Sequence, residues 1–211
     1  MLSLTLKSER RSPDGVIRST RDVKSWVDEL PSVSAVRPRT CPSCGAAGHP
    51  EGSGPVVQGH GPRERTVRGP GSGDSPPVVL VILVRRYLCK ACNTACTVVP
   101  RGIAPGYQYA GFASAMAFAL WGIERHCPGV VRAAVSPWQL VGASQVGRWR
   151  SLRRWVQAVR DGRLFPGLLL ADSAARAQAE RVAHIAIGHS PPADREASTV
   201  QRAWQGGAVI A

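Results

Sequence analysis

The spacing of apolar residues changes several times along this chain, and each change marks a different expected element. Over residues 21–30 (RDVKSWVDEL), Val23, Trp26, Val27 and Leu30 recur at steps of three and four. That spacing predicts a short amphipathic helix, capped at its start by Thr20 or Asp22 and stopped by Pro31. Residues 45–77 are rich in Gly, Pro and Ser and show no helical period. Two β-branched stretches stand out instead: residues 56–67, bent at Gly59 and Gly61, and residues 78–88 (VVLVILVRRYL). Both read as strands, with GPGSGDSPP between them as a turn or loose loop. Pro105 and Gly106 mark a boundary, after which residues 107–123 predict a helix packed on several sides. His126-Cys127-Pro128-Gly129 breaks it, residues 130–135 give a second short helix, and Ser136-Pro137 starts a turn or helix through Leu140. After a turn at Gly142-Ala143, Ser144 is placed to cap a helix reaching about Arg160, ended by Asp161-Gly162. Residues 172–187 hold good helix formers on a weak apolar stripe. Residues 1–19 and the polar stretch after about residue 190 read as loose chain.

The strand at residues 78–88 runs into the second of two Cys-x-x-Cys pairs, Cys41-Pro-Ser-Cys44 and Cys89-Lys-Ala-Cys92. Two residues between cysteines let one tight turn aim both sulfurs at one ion, and two such pairs supply the four soft ligands of a tetrahedral Zn²⁺. Antiparallel strands would bring the pairs together in a zinc-ribbon arrangement. The intervening residues, 45–88, exceed the compact ribbon spacing of roughly 15–20 residues, but lengthening a closed loop adds little entropic cost. The alternatives are unmetallated cysteines and a redox dithiol, which would need only one pair, in a strand-to-helix turn. Cys96 lies close enough to Cys92 to replace one ligand, and His49 and His60 lie in the hairpin; Cys127 and Cys96 can also be buried free thiols. A site closed by Cys41, Cys44, Cys89 and Cys92 leaves no position for a reactive water, so its Zn²⁺ would be structural.

On the expected helix ending near Arg160, Trp149, Leu152, Trp155, Val156 and Val159 form an apolar stripe, and arginines cover the rest. Gln145 and Arg148 fall near its start, the end that recognition helices direct at base edges. Arg150, Arg153, Arg154 and Arg160 suit phosphate contacts. A solvated amphipathic helix is the plainer alternative; a membrane-surface helix fits less well, because the tryptophans read as core. The formal net charge is +13, from 27 Lys and Arg against 14 Asp and Glu, which predicts attraction to polyanions. A high-GC genome is a second source of the same Arg-, Ala-, Gly- and Pro-rich composition.

Taken together, the elements predict an α+β chain: a small zinc ribbon built on a β-hairpin, followed by an all-α helix-turn-helix domain, with flexible termini. The expected parts are an N-terminal tail and short helix (1–37), the zinc ribbon (38–101), the helix-turn-helix domain (102–165) and a helical or disordered tail (166–211). The N-terminus lacks the apolar core of a secretory signal, and Cys-x-x-Cys pairs in a cytosolic chain point to metal rather than disulfides. Residues 103–123 are uncharged and long enough to cross a bilayer, yet Pro105, Gly106, Gln108, Gly111, Ser114 and Gly122 make a buried helix the better reading.

CPSCG, HGPRERTVRG, VRRYLCKAC, VVPRGIAPGYQY and RSLRRW, in that order over roughly residues 38–160, resemble the N-terminal region of bacterial insertion-sequence transposases. That region is a zinc ribbon followed by a helix-turn-helix, and it also occurs in short stand-alone proteins. The resemblance implies binding to transposon-end duplex DNA, with the four cysteines as zinc ligands and Arg148, Arg150, Arg153 and Arg154 in the recognition helix. It also implies a separate catalytic subunit as a partner and a cytoplasmic, nucleoid-associated location; helix-turn-helix proteins commonly dimerise. The hairpin departs from the family in its length. Transposase chemistry needs acids holding two Mg²⁺ ions on an RNase H-like sheet, whereas Asp161, Asp172, Glu180, Asp194 and Glu196 lie in no β-rich context. No G-x-S-x-G, H-E-x-x-H or P-loop is present either. The expectation is a non-catalytic, zinc-dependent DNA-binding protein. The alternatives are an RNA- or ribosome-associated zinc ribbon and a protein-interaction module.

Overall fold

The computed structural model describes residues 15–104, 106–138, 149–192 and 196–211. Along them run β1 (Val16–Asp22), α1 (Val23–Asp28), β2 (Val57–Pro70), β3 (Pro77–Cys89), β4 (Ala95–Arg101) and α2 (Gly111–Phe118). α2 continues as a π-helical turn, Ala119–Ile123, followed by α3 (Pro128–Val135), α4 (Ser151–Arg160), α5 (Ala175–Gly188) and α6 (Thr199–Ile210). The strands form a four-stranded sheet in the order β1-β4-β3-β2. β3 and β4 pair antiparallel, with Arg85 opposite Val98 and Leu88 opposite Ala95.

The chain divides into two compact units. The first comprises residues 1–19, 30–63 and 84–99, and carries all four cysteines of the two pairs. Its buried side chains include Val57, Val84, Tyr87, Val98 and Val99. Tyr87 Oη donates to the Val33 carbonyl at 2.7 Å and Arg85 Nε to the Pro31 carbonyl at 2.8 Å, so the segment after Pro31 is tied down by strand side chains rather than by regular pairing.

The second unit comprises residues 20–29, 64–83 and 100–211 and contains all the described helices. Asp22 caps α1, its carboxylate accepting from the Ser25 N–H at 2.9 Å, and that N–H holds the Asp22 carboxyl below its ordinary range. The core of this unit gathers Phe118, Trp155, Leu152, Leu164, Phe165 and Val182. α6 reaches it through small residues: a Cβ on Gly206 would collide with the Ala186 carbonyl, so α5 and α6 approach as closely as they do only with glycine there.

The expected fold class is overturned. The chain is not a small zinc ribbon followed by an all-α domain: β2 and β3 are 14 and 13 residues long, they join β1 and β4 in one sheet, and their residues 64–70 and 77–83 belong to the helix-bearing unit. The reason is long-range packing. Arg65 donates to the carbonyls of Ala104 and Tyr107, Trp204 Nε1 donates to the Pro70 carbonyl at 3.2 Å, and Val67 and Ile82 are buried. Residues 107–110, expected to be helical, instead run extended beside the end of β2. Arg68 N–H donates to the Gln108 carbonyl at 2.7 Å, and Ala110 N–H to that of Arg68 at 3.1 Å. The expectation of flexible termini fails at the C-terminal end. α6 is a packed helix whose capping box pairs Ser198 with Gln201 in both directions. The segment read as loose chain also includes residues 16–19 of β1, and residues 21–22, expected in the first helix, end that strand. Of the expected helix from Ser144 to about Arg160, residues 144–148 lie outside the described residues, Trp149 and Arg150 are not helical, and α4 begins only at Ser151.

Candidate metal centre

Each Cys-x-x-Cys pair occupies the tip of a short antiparallel hairpin, and the two tips have the same geometry. In the first, Cys41 N–H donates to the Ala46 carbonyl at 2.8 Å, and Thr40 bridges Ala47. In the second, Cys89 N–H donates to the Thr94 carbonyl at 3.0 Å, and Leu88 pairs with Ala95. The fifth residue of each tip turns the chain back with positive φ: Gly45 at 76° and Asn93 at 55°. Glycine and asparagine are the residues that tolerate this conformation. The repeated register explains why each pair presents both sulfurs on the same side of its turn.

The two tips face each other. Cys41 Sγ lies 3.7 Å from Cys92 Sγ, Cys44 Sγ lies 3.8 Å from Cys89 Sγ, and all four sulfurs fall within 4.8 Å of one another. These separations are far longer than a disulfide, about 2.05 Å, and the cysteines are free. Four sulfurs at the corners of a tetrahedron, each about 2.3 Å from a central Zn²⁺, would be about 3.8 Å apart. The donor set could therefore hold a metal ion, and its spacing suits a tetrahedral thiolate site. Cys41 and Cys89 are buried, at 3% and 0% exposure, while Cys44 is exposed and Cys92 half-buried. The cluster includes neither Cys96 nor His49 nor His60; both histidines are exposed.

The electrostatics show what a cation would relieve. The Ala46 N–H favours the Cys44 thiolate, yet desolvation and the neighbouring Cys92, Cys41 and Cys89 outweigh it and push this thiol up to about 11. Hydrogen bonding by Thr94 draws Cys92 down to about 6. Buried Cys96 is pushed up to about 11, first by desolvation and then by the charge of Cys41, Cys89 and Cys92. A divalent ion removes this mutual opposition, because it binds the thiolate forms.

The expected DNA-contacting residues lie elsewhere. Arg150, Arg153 and Arg154 are exposed at the start and along the outer face of α4, whose opposite face buries Leu152, Trp155, Val156 and Val159. Gln145 and Arg148 lie outside the described residues. Arg150 and Arg153 share a cleft with Trp121 and Arg176. Sequence reasoning missed those two because they come from the π-helical turn and α5, with no local signal joining them to α4. It also missed Asn93 and Thr94, although comparison of the two tips would have found Asn93 as the counterpart of Gly45. Among the described residues, no helix is long and apolar enough to cross a membrane. No family model, no curated protein and no solved structure matches this chain.

Proposed function

We propose that this is a non-catalytic, zinc-dependent protein that binds duplex DNA and is related to transposases. In this reading Zn²⁺ on Cys41, Cys44, Cys89 and Cys92 keeps the two hairpin tips joined and takes no part in chemistry, because four thiolates leave no open coordination position. The observation that carries the DNA reading is the outer face of α4. Arg150, Arg153 and Arg154 stand exposed there, and among the described residues none of the three pairs with a carboxylate. Arg160, about two turns beyond Arg153, is by contrast held by Asp172 at 3.2 Å, so it is less free for the phosphate contact expected of it. Unpaired guanidiniums on a chain of formal charge +13 suit phosphate oxygens.

The test is an electrophoretic mobility shift with duplex DNA over about 50 to 200 mM salt. Binding should fall steeply with salt, and the paired change Arg153→Ala and Arg154→Ala should weaken it by at least about tenfold, since each removes a charge-assisted contact. Salt-independent binding, or binding unchanged in the double variant, would sink the reading. The narrower relation to transposases rests on the sequence resemblance and needs preference for transposon-end DNA over unrelated duplex; equal affinity for both removes it. Exposed Trp138, 53% accessible with the Arg68 guanidinium 5.1 Å from its ring centre, favours a second reading as a binder of unpaired RNA bases. Structured RNA outcompeting duplex DNA would replace the first reading with the second.

A further inference from the structure

One cleft in the helix-bearing unit, of about 510 Å³, brings three guanidiniums together with two indoles, and none of its described lining residues is acidic. Arg150 and Arg153 come from the start of α4, Arg176 from the first turn of α5, Trp121 from the π-helical turn and Trp149 from the residue just before Arg150. Among the described residues no carboxylate pairs with any of the three arginines. The acid one turn along α5 from Arg176, Glu180, is already taken by Arg125 at 2.7 Å. Such a concentration of positive charge favours an anion. α4 adds to it: the helix starts without a side-chain cap and without an acidic residue in its first turn, so among the described residues nothing in α4 itself offsets the positive end of its dipole.

A second observation points the same way. Trp121 is only 6% exposed, lines the cleft, and its indole N–H is buried with no hydrogen-bond partner among the described residues. A buried donor left unmade is costly, and at the wall of a cationic cleft a ligand oxygen is one group that would satisfy it. The Arg176 guanidinium lies 5.5 Å from the Trp121 ring centre, which fixes both groups at the same wall. Half-buried Trp149 is held by edge-to-face contacts with Tyr109 at 6.1 Å and Trp155 at 5.0 Å, a fixed indole beside the cationic wall.

We propose that this cleft binds a nucleoside monophosphate: Arg150, Arg153, Arg176 and the first turn of α4 hold the phosphate, Trp121 Nε1 donates to a ligand oxygen, and Trp149 stacks on the base. Three guanidiniums match the dianionic charge of a phosphate monoester better than the single charge of a diester inside a strand. The volume suits a ligand of nucleotide size, and stacking on an indole tolerates any base. The same chemistry has two sources, a free mononucleotide and the phosphorylated end of a DNA strand; only the second rests on the DNA-binding reading.

The experiment is isothermal titration of the full-length, metal-loaded protein with thymidine monophosphate, thymidine and inorganic phosphate, followed by competition between one short duplex carrying 5′-phosphate ends and the same duplex with 5′-hydroxyl ends. The monophosphate should bind at least about tenfold tighter than thymidine, as expected for several charge-assisted hydrogen bonds. Arg150→Ala with Arg176→Ala should abolish that preference. Trp121→Phe keeps the ring and removes the donor, and should weaken monophosphate binding several-fold. Arg181→Ala, an exposed change on α5 outside the cleft, should leave it unchanged. Preference for the phosphorylated duplex assigns the strand end as ligand; monophosphate binding without that preference assigns the free nucleotide. If monophosphate and phosphate do not bind and the two duplexes compete equally, the proposal is overturned, while the salt-dependent duplex binding described above stands or falls by itself. Monophosphate binding in a protein that ignores duplex DNA would overturn the DNA reading and leave the cleft.

Discussion

In the cysteine-bearing unit the buried apolar groups are modest: Val57, Val84, Tyr87, Val98 and Val99 on strand residues, with much of the backbone between them turning through Gly, Pro and Ser. In the helix-bearing unit Phe118, Leu152, Trp155, Leu164 and Phe165 are each buried and packed in one continuous cluster. The first unit lacks the aromatic and leucine mass that offsets chain entropy in the second. What it has is four sulfurs in tetrahedral spacing, joining segments distant in sequence. A metal ion held by them would close those loops and make stability in this unit a matter of coordination. In the other unit stability is a matter of packing.

The largest expected effect comes from removing the ion. Apparent binding energies of structural zinc in small peptides run to about 10 kcal/mol and more, which exceeds what the cysteine-bearing unit can recover from its few apolar contacts. Cys89→Ser, or a strong chelator, should take metal content from one ion per chain to none. It should also collapse amide exchange protection at residues 84–89 and 95–98, while α5 and α6 keep theirs. Equal loss of protection in α5 would erase the contrast between the two units. Protection unchanged throughout, with no ion in the purified protein, would remove the metal from the account altogether.

The reverse substitution probes packing. Trp155 is 4% exposed and touches Tyr109, Phe118 and Trp149 ring to ring. Trp155→Ala should cost about 3–5 kcal/mol, the usual range for emptying an aromatic site in a core. It should lower the denaturant midpoint of the helical signal and leave metal stoichiometry at its starting value. If metal content fell in step with the helical signal, the two modes of stabilisation would have to be coupled.

The same contrast explains what could be read in the sequence. The metal knuckles were legible because their chemistry is local: two cysteines, two intervening residues and a turn residue that accepts positive φ. The strands β2 and β3 were legible from their β-branched content, but their membership in a larger sheet was not. That depends on partners such as Trp204 and Ala104, far away along the chain. β4 was missed because its buried residues, Cys96, Val98, Val99 and Pro100, follow no clean alternation. At the C-terminal end the stretch holding Gly206 and Gly207 reads as loose chain. In the folded chain they are contact residues, Gly206 against Ala186 and Gly207 against Ala115. The cleft on α4 was half legible, through its arginines. Trp121 and Arg176 reach it only through the packing of helices.

α6 also supplies the smallest and most discriminating test, because it combines a local signal with a tertiary one. Ser198 Oγ accepts from Gln201 N–H at 3.2 Å, and the Gln201 side chain accepts from Ser198 N–H at 3.0 Å. Gly206 and Gly207 meanwhile let the helix sit against α5 and α2. Ser198→Ala removes the cap, and a lost N-cap typically costs about 1 kcal/mol. If packing is what holds the helix-bearing unit, that cost should appear as a small drop in midpoint with the helical signal at 25 °C intact, since Ala203 and Val200 remain buried. A loss of helical content confined to α6, seen as exchange of residues 199–210 with α5 still protected, would mean that this helix depends on its cap. The packing description of the unit would then have to stop at α5.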